Sequence, residues 1–185
     1  MKENKRYLCL LRGVNVSGQK LIKMSDLKTL LYKNGLDEIT TYIQSGNIVF
    51  TTHMDCKEQI STFIEHVLKK EYGWEVPSLI LTKENLNKIL ENNPYPELEE
   101  TSTNKQTNKP YVCIPKQEFL QDKMEALNAL QFDGEFFTTR KYGVYLYCTK
   151  EANKCKLSTK LIEKNLEAVC TTRNWRTLLK LQKLF

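Results

Sequence analysis

The stretch Ile39-Thr40-Thr41-Tyr42-Ile43-Gln44-Ser45-Gly46-Asn47-Ile48-Val49-Phe50-Thr51-Thr52 decides the fold. Two runs rich in β-branched and aromatic residues, Ile39 to Ile43 and Ile48 to Thr52, flank the turn-forming cluster Gln44 to Asn47. The pattern predicts a hairpin. Upstream, Arg6 to Leu11 reads as a buried strand. A helix through Leu27, Leu30 and Leu31 follows it, capped by Ser25, with Asp26 in its first turn and Gly35 as its stop. Downstream, Asp55 and Glu58 read as a capping pair for a helix through Ile60, Phe63, Ile64 and Val67 that ends at Gly73. Val76 to Leu81 is a further strand, and Thr82 caps a short helix that closes at Asn93-Pro94. Strand, helix, hairpin, helix, strand is the split βαβ order of the ferredoxin-like plan, with one helix added.

Beyond Pro96 the order begins again. Pro96 to Lys109 is polar, with too few apolar residues to pack, and is expected to be a mobile loop. Tyr111 to Ile114 is then a strand and Glu118 to Leu130 a helix. Glu135 to Arg140 and Val144 to Cys148 form a second hairpin around Lys141-Tyr142-Gly143. Helices are predicted from about Ser158 to Val169 and from Asn174 to Leu184, with no clear closing strand between them. Tyr7-Leu8-Cys9-Leu10 opens one half and Tyr111-Val112-Cys113-Ile114 the other. The expected class is α+β: two intertwined ferredoxin-like (βαββαβ-type) halves with antiparallel sheets and helices packed on them. A first half over residues 1–95, the loop over 96–109, and a second half with a C-terminal helix over 110–185 would make one compact unit.

Composition narrows the setting. A chain of 185 residues, 41% hydrophobic and 27% charged, is ordinary for a soluble protein. Its apolar run from Tyr7 to Leu11 is too short for a signal peptide, and no window reaches a membrane span, so a cytoplasmic protein without membrane association is expected. Six cysteines, at 9, 56, 113, 148, 155 and 170, include no C-x-x-C pair, and only His53 and His66 could join them. Reduced thiols and no metal are expected. The net charge of +6 permits an anionic partner, a small molecule or nucleic acid, though lysines outnumber arginines and much of the charge reads as solvated surface.

Candidate site residues lie in three polar segments. Strand one of this plan ends beside the turn joining strands two and three, so Arg12 and Asn15 should share a rim with Gln44, Ser45 and Asn47. Arg12 directly after a buried strand calls for an anion, water or an ion pair with a carboxylate such as Asp26. The third segment is Thr171-Thr172-Arg173-Asn174-Trp175, where Thr172 or Asn174 can cap the last helix and Arg173 adds charge at its positive end. Trp175 fits a core position better than a stacking platform.

Leu11 to Val16, Tyr42 to Phe50 and Thr171 to Trp175, in that order, resemble the signature segments of the bacterial domain-of-unknown-function family sixteen-ninety-seven. The resemblance implies cytosolic bacterial proteins of one compact α+β unit and assigns no catalytic residue. Family members often carry two glycines after Asn-Val; here Ser17 and Gly18 stand there, which argues against a Gly-rich phosphate loop.

No Walker, Rossmann, zincin or nucleophile-elbow string occurs, and neither histidine belongs to the rim. A serine nucleophile at Ser45 would lack its usual base, and Glu99-Glu100 sits in the polar loop. Donors and amides without titrating groups suit recognition of an anion. The expected function is therefore non-catalytic binding of a phosphate- or carboxylate-bearing ligand through Arg12, Asn15, Gln44, Ser45, Asn47, Arg173 and Asn174, with no cofactor. An enzyme working by a metal- or substrate-assisted route at the same rim, and a protein-interaction module, are the alternatives. An RNA-recognition module fits less well, because the fuller aromatic motif is missing.

Overall fold

The computed structural model describes residues 3–16, 18–96, 109–132, 134–148 and 156–185. The expected mobile loop therefore lies, except at its ends, outside the described residues, as do Ser17, Glu99, Glu100 and Cys155.

The first ferredoxin-like half runs β1 (Lys5–Leu11), α1 (Met24–Lys33), β2 (Asp37–Tyr42), β3 (Asn47–Thr52), α2 (Lys57–Tyr72) and β4 (Ser78–Leu81), followed by α3 (Lys83–Glu91). Its strands order as β2-β3-β1-β4, every neighbour antiparallel, with Tyr7 opposite Phe50 and Leu8 opposite Leu81. The central strand is apolar on both faces, as a two-sided burial demands. Tyr7, Cys9 and Leu11 alternate onto one face and join Leu27 and Leu31 of α1 and Ile60, Ile64 and Leu68 of α2 in a single core. Leu8 and Leu10, on the opposite face, are also fully buried.

Both edges of this sheet are guarded. At β2 the register shifts between Asp37 and Thr40, and the Glu38 carboxylate takes the Arg6 guanidinium at 3.0 Å. At β4 the Ser78 N–H donates to Glu65 Oε1 at 2.7 Å rather than to another strand. Ser61 and Ser78, both buried, complete that network at 2.9 Å.

Two predicted caps differ. The residue before α1 is Lys23, with no side-chain cap, while Ser25 Oγ turns to Asp26 at 3.0 Å. Cys56 precedes α2, and Asp55 pairs with Lys5 at 2.8 Å instead of capping. Thr82 does cap α3, exchanging bonds with Asn85 in both directions at 3.1 and 3.3 Å.

The second half runs β5 (Lys109–Pro115), α4 (Gln121–Asn128), β6 (Glu135–Arg140), β7 (Gly143–Cys148), α5 (Thr159–Leu166), β8 (Cys170–Asn174) and α6 (Trp175–Gln182). The order β6-β7-β5-β8 repeats the first half's, again all antiparallel. Cys113 of β5 sits in its core as Cys9 does in the first. The expectation of a missing closing strand is corrected: β8 closes this sheet, with Thr171 opposite Ile114 and Arg173 opposite Val112. Its polar side chains resemble a helix cap, but strand pairing is made by backbone groups, and β5 supplies them.

The chain forms two compact units, Met1–Asn87 with Lys180–Phe185, and Lys88–Leu179. It leaves the first within α3 and returns to it within α6. The returning segment is tied into the first unit by Gln182 Nε2 donating to Asn87 Oδ1 at 2.8 Å and by Arg6 Nη2 donating to the Leu184 carbonyl at 3.2 Å.

Candidate functional site

The end of the first sheet carries two loops, residues 12–23 after β1 and residues 43–46 between β2 and β3. The Leu11 N–H donates to the Gly46 carbonyl at 2.8 Å, so the loops meet where the ferredoxin-like plan requires. Gly46 is obligatory there: its φ is +70°, and a Cβ would fall 2.7 Å from both Leu11 Cβ and Val14 Cγ2.

Asn15 joins the loops. Its Nδ2 donates to the Ile22 carbonyl at 2.9 Å and to the Gln44 carbonyl at 2.7 Å, while its Oδ1 accepts from the Ile22 N–H at 2.8 Å. Both amide hydrogens are thereby committed to backbone. Its φ of 54° is one that asparagine tolerates better than most residues. Asn47 is fully buried at the first position of β3, its Nδ2 donating to the Tyr42 carbonyl at 3.0 Å and to Ser45 Oγ at 2.9 Å. Both asparagines therefore build the rim from inside it.

Arg12 is half-buried, its N–H donating to the Pro77 carbonyl at 2.9 Å. Ser45 is half-buried and Gln44 exposed. Nearby, Lys20 donates to the Glu75 carbonyl, and the Lys69 ammonium 2.9 Å from the Glu75 carboxylate holds that acid below its ordinary value, with Lys20 adding to the effect. Sequence reasoning passed over three further residues of these loops. Val16, Leu21 and Ile43 are exposed large apolar side chains, and Ile43 is held at φ 47°. Val16 and Leu21 stand outside any helical or strand period, whereas Ile43 falls at the end of the expected strand Ile39 to Ile43, and β2 stops at Tyr42.

Arg173 and Asn174 belong to the second unit. Arg173 lies within β8 and is 8% exposed, its Nη1 donating to Thr171 Oγ1 at 2.8 Å and to the Thr172 carbonyl at 3.0 Å. Asn174 Oδ1 accepts from the Arg176 N–H at 3.0 Å and so caps α6, as its place in the sequence predicts. Trp175 is buried. Cys9, Cys56, Cys113 and Cys170 are free thiols, and among the described residues no group of three or more His, Cys, Asp or Glu side chains is placed to hold a metal ion.

The sequence model of the family described as protein of unknown function (DUF1697) matches residues 4–145. The chain belongs to that family. The match takes in the whole of the first unit's rim, with Arg12, Asn15 and the Gln44–Asn47 turn. In fold, this member resembles the solved structure of the conserved bacterial protein SP0830 from Streptococcus pneumoniae, with a TM-score of 0.73, 24% identity and 98% of each chain covered. No curated protein matches the chain in sequence. Among the described residues no helix is long and apolar enough to cross a membrane.

Proposed function

We propose that this member of the family is a non-catalytic binding protein whose ligand, carrying a carboxylate or phosphate, is held at the open end of the first sheet. Arg12 supplies the charge, and Gln44 and Ser45 supply orienting hydrogen bonds. The observation that supports this reading is the Asn15 clamp: one side chain fastens both loops through three bonds to backbone. A rim fixed by its own side chains loses little entropy when it binds. Asn15 and Asn47 are then positioning residues, and Arg173 and Asn174 serve β8 and the start of α6.

Titrating the protein with inorganic phosphate, nucleoside monophosphates and acidic peptides by calorimetry tests the reading. A charge-assisted hydrogen bond is worth about 1.5–3 kcal/mol, so Arg12→Ala should weaken binding about tenfold or more. Lys160→Ala, an exposed lysine of the second unit, is the charge control. Arg173→Ala should lower the melting temperature and leave affinity alone. Equal losses in Arg12→Ala and Lys160→Ala would reduce the site to a diffuse basic surface.

A further inference from the structure

Val16 is 58% exposed, Leu21 65% and Ile43 50%, and all three stand on the two loops that Asn15 fastens together. Val16 bridges back to Gln19, and the Asn15 N–H donates to the Lys20 carbonyl at 3.2 Å, so Val16 and Leu21 ride one small hairpin beside the turn that carries Ile43. Single exposed aliphatic residues are unremarkable, but three on two cross-linked loops form a lip. Ile43 costs the fold something as well. A β-branched residue in the left-handed region is rare, and nothing in a four-residue turn requires isoleucine there.

Within the two loops the charge has one sign, and the Glu75 carboxylate beside Lys20 is paired with Lys69. Residues 12–23 contain Arg12, Lys20 and Lys23 and no carboxylate, and residues 43–46 contain no charge at all. Lys23 is exposed. A matching partner presents carboxylates next to aliphatic side chains. Single-stranded nucleic acid fits less well, since its bases ask for exposed aromatic faces. Neither loop contains an aromatic residue, and Tyr42, directly before the second, is half-buried.

We propose that the rim docks an acidic polypeptide segment of a partner protein, its carboxylates on Arg12 and Lys23 and its apolar side chains on Val16, Leu21 and Ile43. The proposal rests on the reading of the rim as an anion site and assigns its ligand. Ile43 is the specificity residue, kept in a strained conformation because its side chain is needed outside.

The test begins with a random 12-residue peptide display library selected on the full chain and counter-selected on Leu21→Ser/Ile43→Asn. Selected sequences should pair Asp or Glu with Leu, Ile or Phe. The strongest is then synthesised with a fluorescent label in three forms: as selected, with its apolar residues replaced by serine, and with its carboxylates replaced by amides. Both replacements should weaken binding about tenfold. Ile43→Asn should do the same to the selected peptide, leave inorganic phosphate binding unchanged, and not lower the melting temperature. A merely structural Ile43 would show no such split. A selection that returns no acidic-apolar sequence, or tighter binding of a 12-nucleotide single strand than of any peptide, overturns the proposal. If Arg12→Ala weakens phosphate and peptide while the aliphatic variants weaken neither, the anion site stands and the peptide partner falls. If Arg12→Ala weakens neither ligand, the anion site itself has failed.

Discussion

The two halves build the same sheet and finish its corresponding end differently. In the first, twelve residues, 12–23, connect the central strand to its helix, and four, 43–46, make the hairpin turn. In the second the matching connection is five residues, 116–120, and the hairpin turns in two, Lys141 and Tyr142, with Arg140 directly opposite Gly143. The short version shows what the scaffold needs to close. The extra length in the first half is not required by the fold, and it carries the left-handed residues Asn15, Lys20 and Ile43, the asparagine clamp and the apolar lip. Loops longer than their scaffold demands are where binding is usually found.

The comparison can be broken most sharply at its two turn glycines. Gly46→Ala combines a left-handed backbone, costing about 1–2 kcal/mol, with overpacking against Leu11 and Val14, costing about 1–3 kcal/mol. Urea unfolding should therefore register about 2–5 kcal/mol in total. Gly143 has no positive φ, though a Cβ there would meet the Cys113 carbonyl and Val112 at 2.9 Å, so Gly143→Ala should cost only about 1–3 kcal/mol. An equal or larger loss at Gly143 would mean that the short turn is the more constrained. Asparagines give the next contrast. Asn15→Ala removes three hydrogen bonds and leaves alanine at a positive φ, for about 2–4 kcal/mol. Asn128→Ala removes the acceptor of the bond from the Thr139 N–H at 2.9 Å, and should cost about 1 kcal/mol.

A third contrast is in pH. Tyr145 of the second unit is buried and donates to the Ile89 carbonyl at 2.6 Å. Burial pushes its phenol well above the ordinary 10.0, so the folded state keeps a proton that the unfolded chain gives up. Stability is full below that ordinary value and declines as pH rises above it. Tyr145→Phe should cost about 1 kcal/mol at neutral pH and flatten the alkaline loss seen by circular dichroism. The smallest effect has the opposite sign. Ile43→Asn should raise stability by about 0.5–1 kcal/mol, since asparagine accepts the left-handed backbone more readily. A loss of stability there would mean that the fold itself uses the isoleucine.

Much of this architecture is legible in the sequence because apolar runs and punctuation agree. Gly73 takes the left-handed cap that ends α2, Thr82 caps α3, and the Ile39–Thr52 hairpin forms, with its turn at residues 43–46, one residue ahead of the expected Gln44 to Asn47. The closing strand β8 is not legible, since Cys170 to Asn174 has neither alternation nor an apolar run and is defined by its pairing with β5. At the site, topology brings Arg12 and Asn15 to the Gln44–Asn47 turn. It does not foretell that the two asparagines would be consumed holding the loops, because an amide reads alike whether it faces backbone or ligand. The lip is hidden for related reasons: an aliphatic residue outside a periodic run, such as Val16 or Leu21, could equally be buried, as Val14 and Ile22 are, and Ile43 reads as the end of a strand.

The passage of the chain out of the first unit at α3 and back at α6 has a mechanical consequence. β1 and the last turn of the chain belong to the same unit and are joined directly, Arg6 to Leu184. A force drawn between Lys5 and Leu184 would first break the few contacts that hold residues 180–185, and would then load Lys88–Leu179 through α6 and the first sheet through β1, one after the other along the chain.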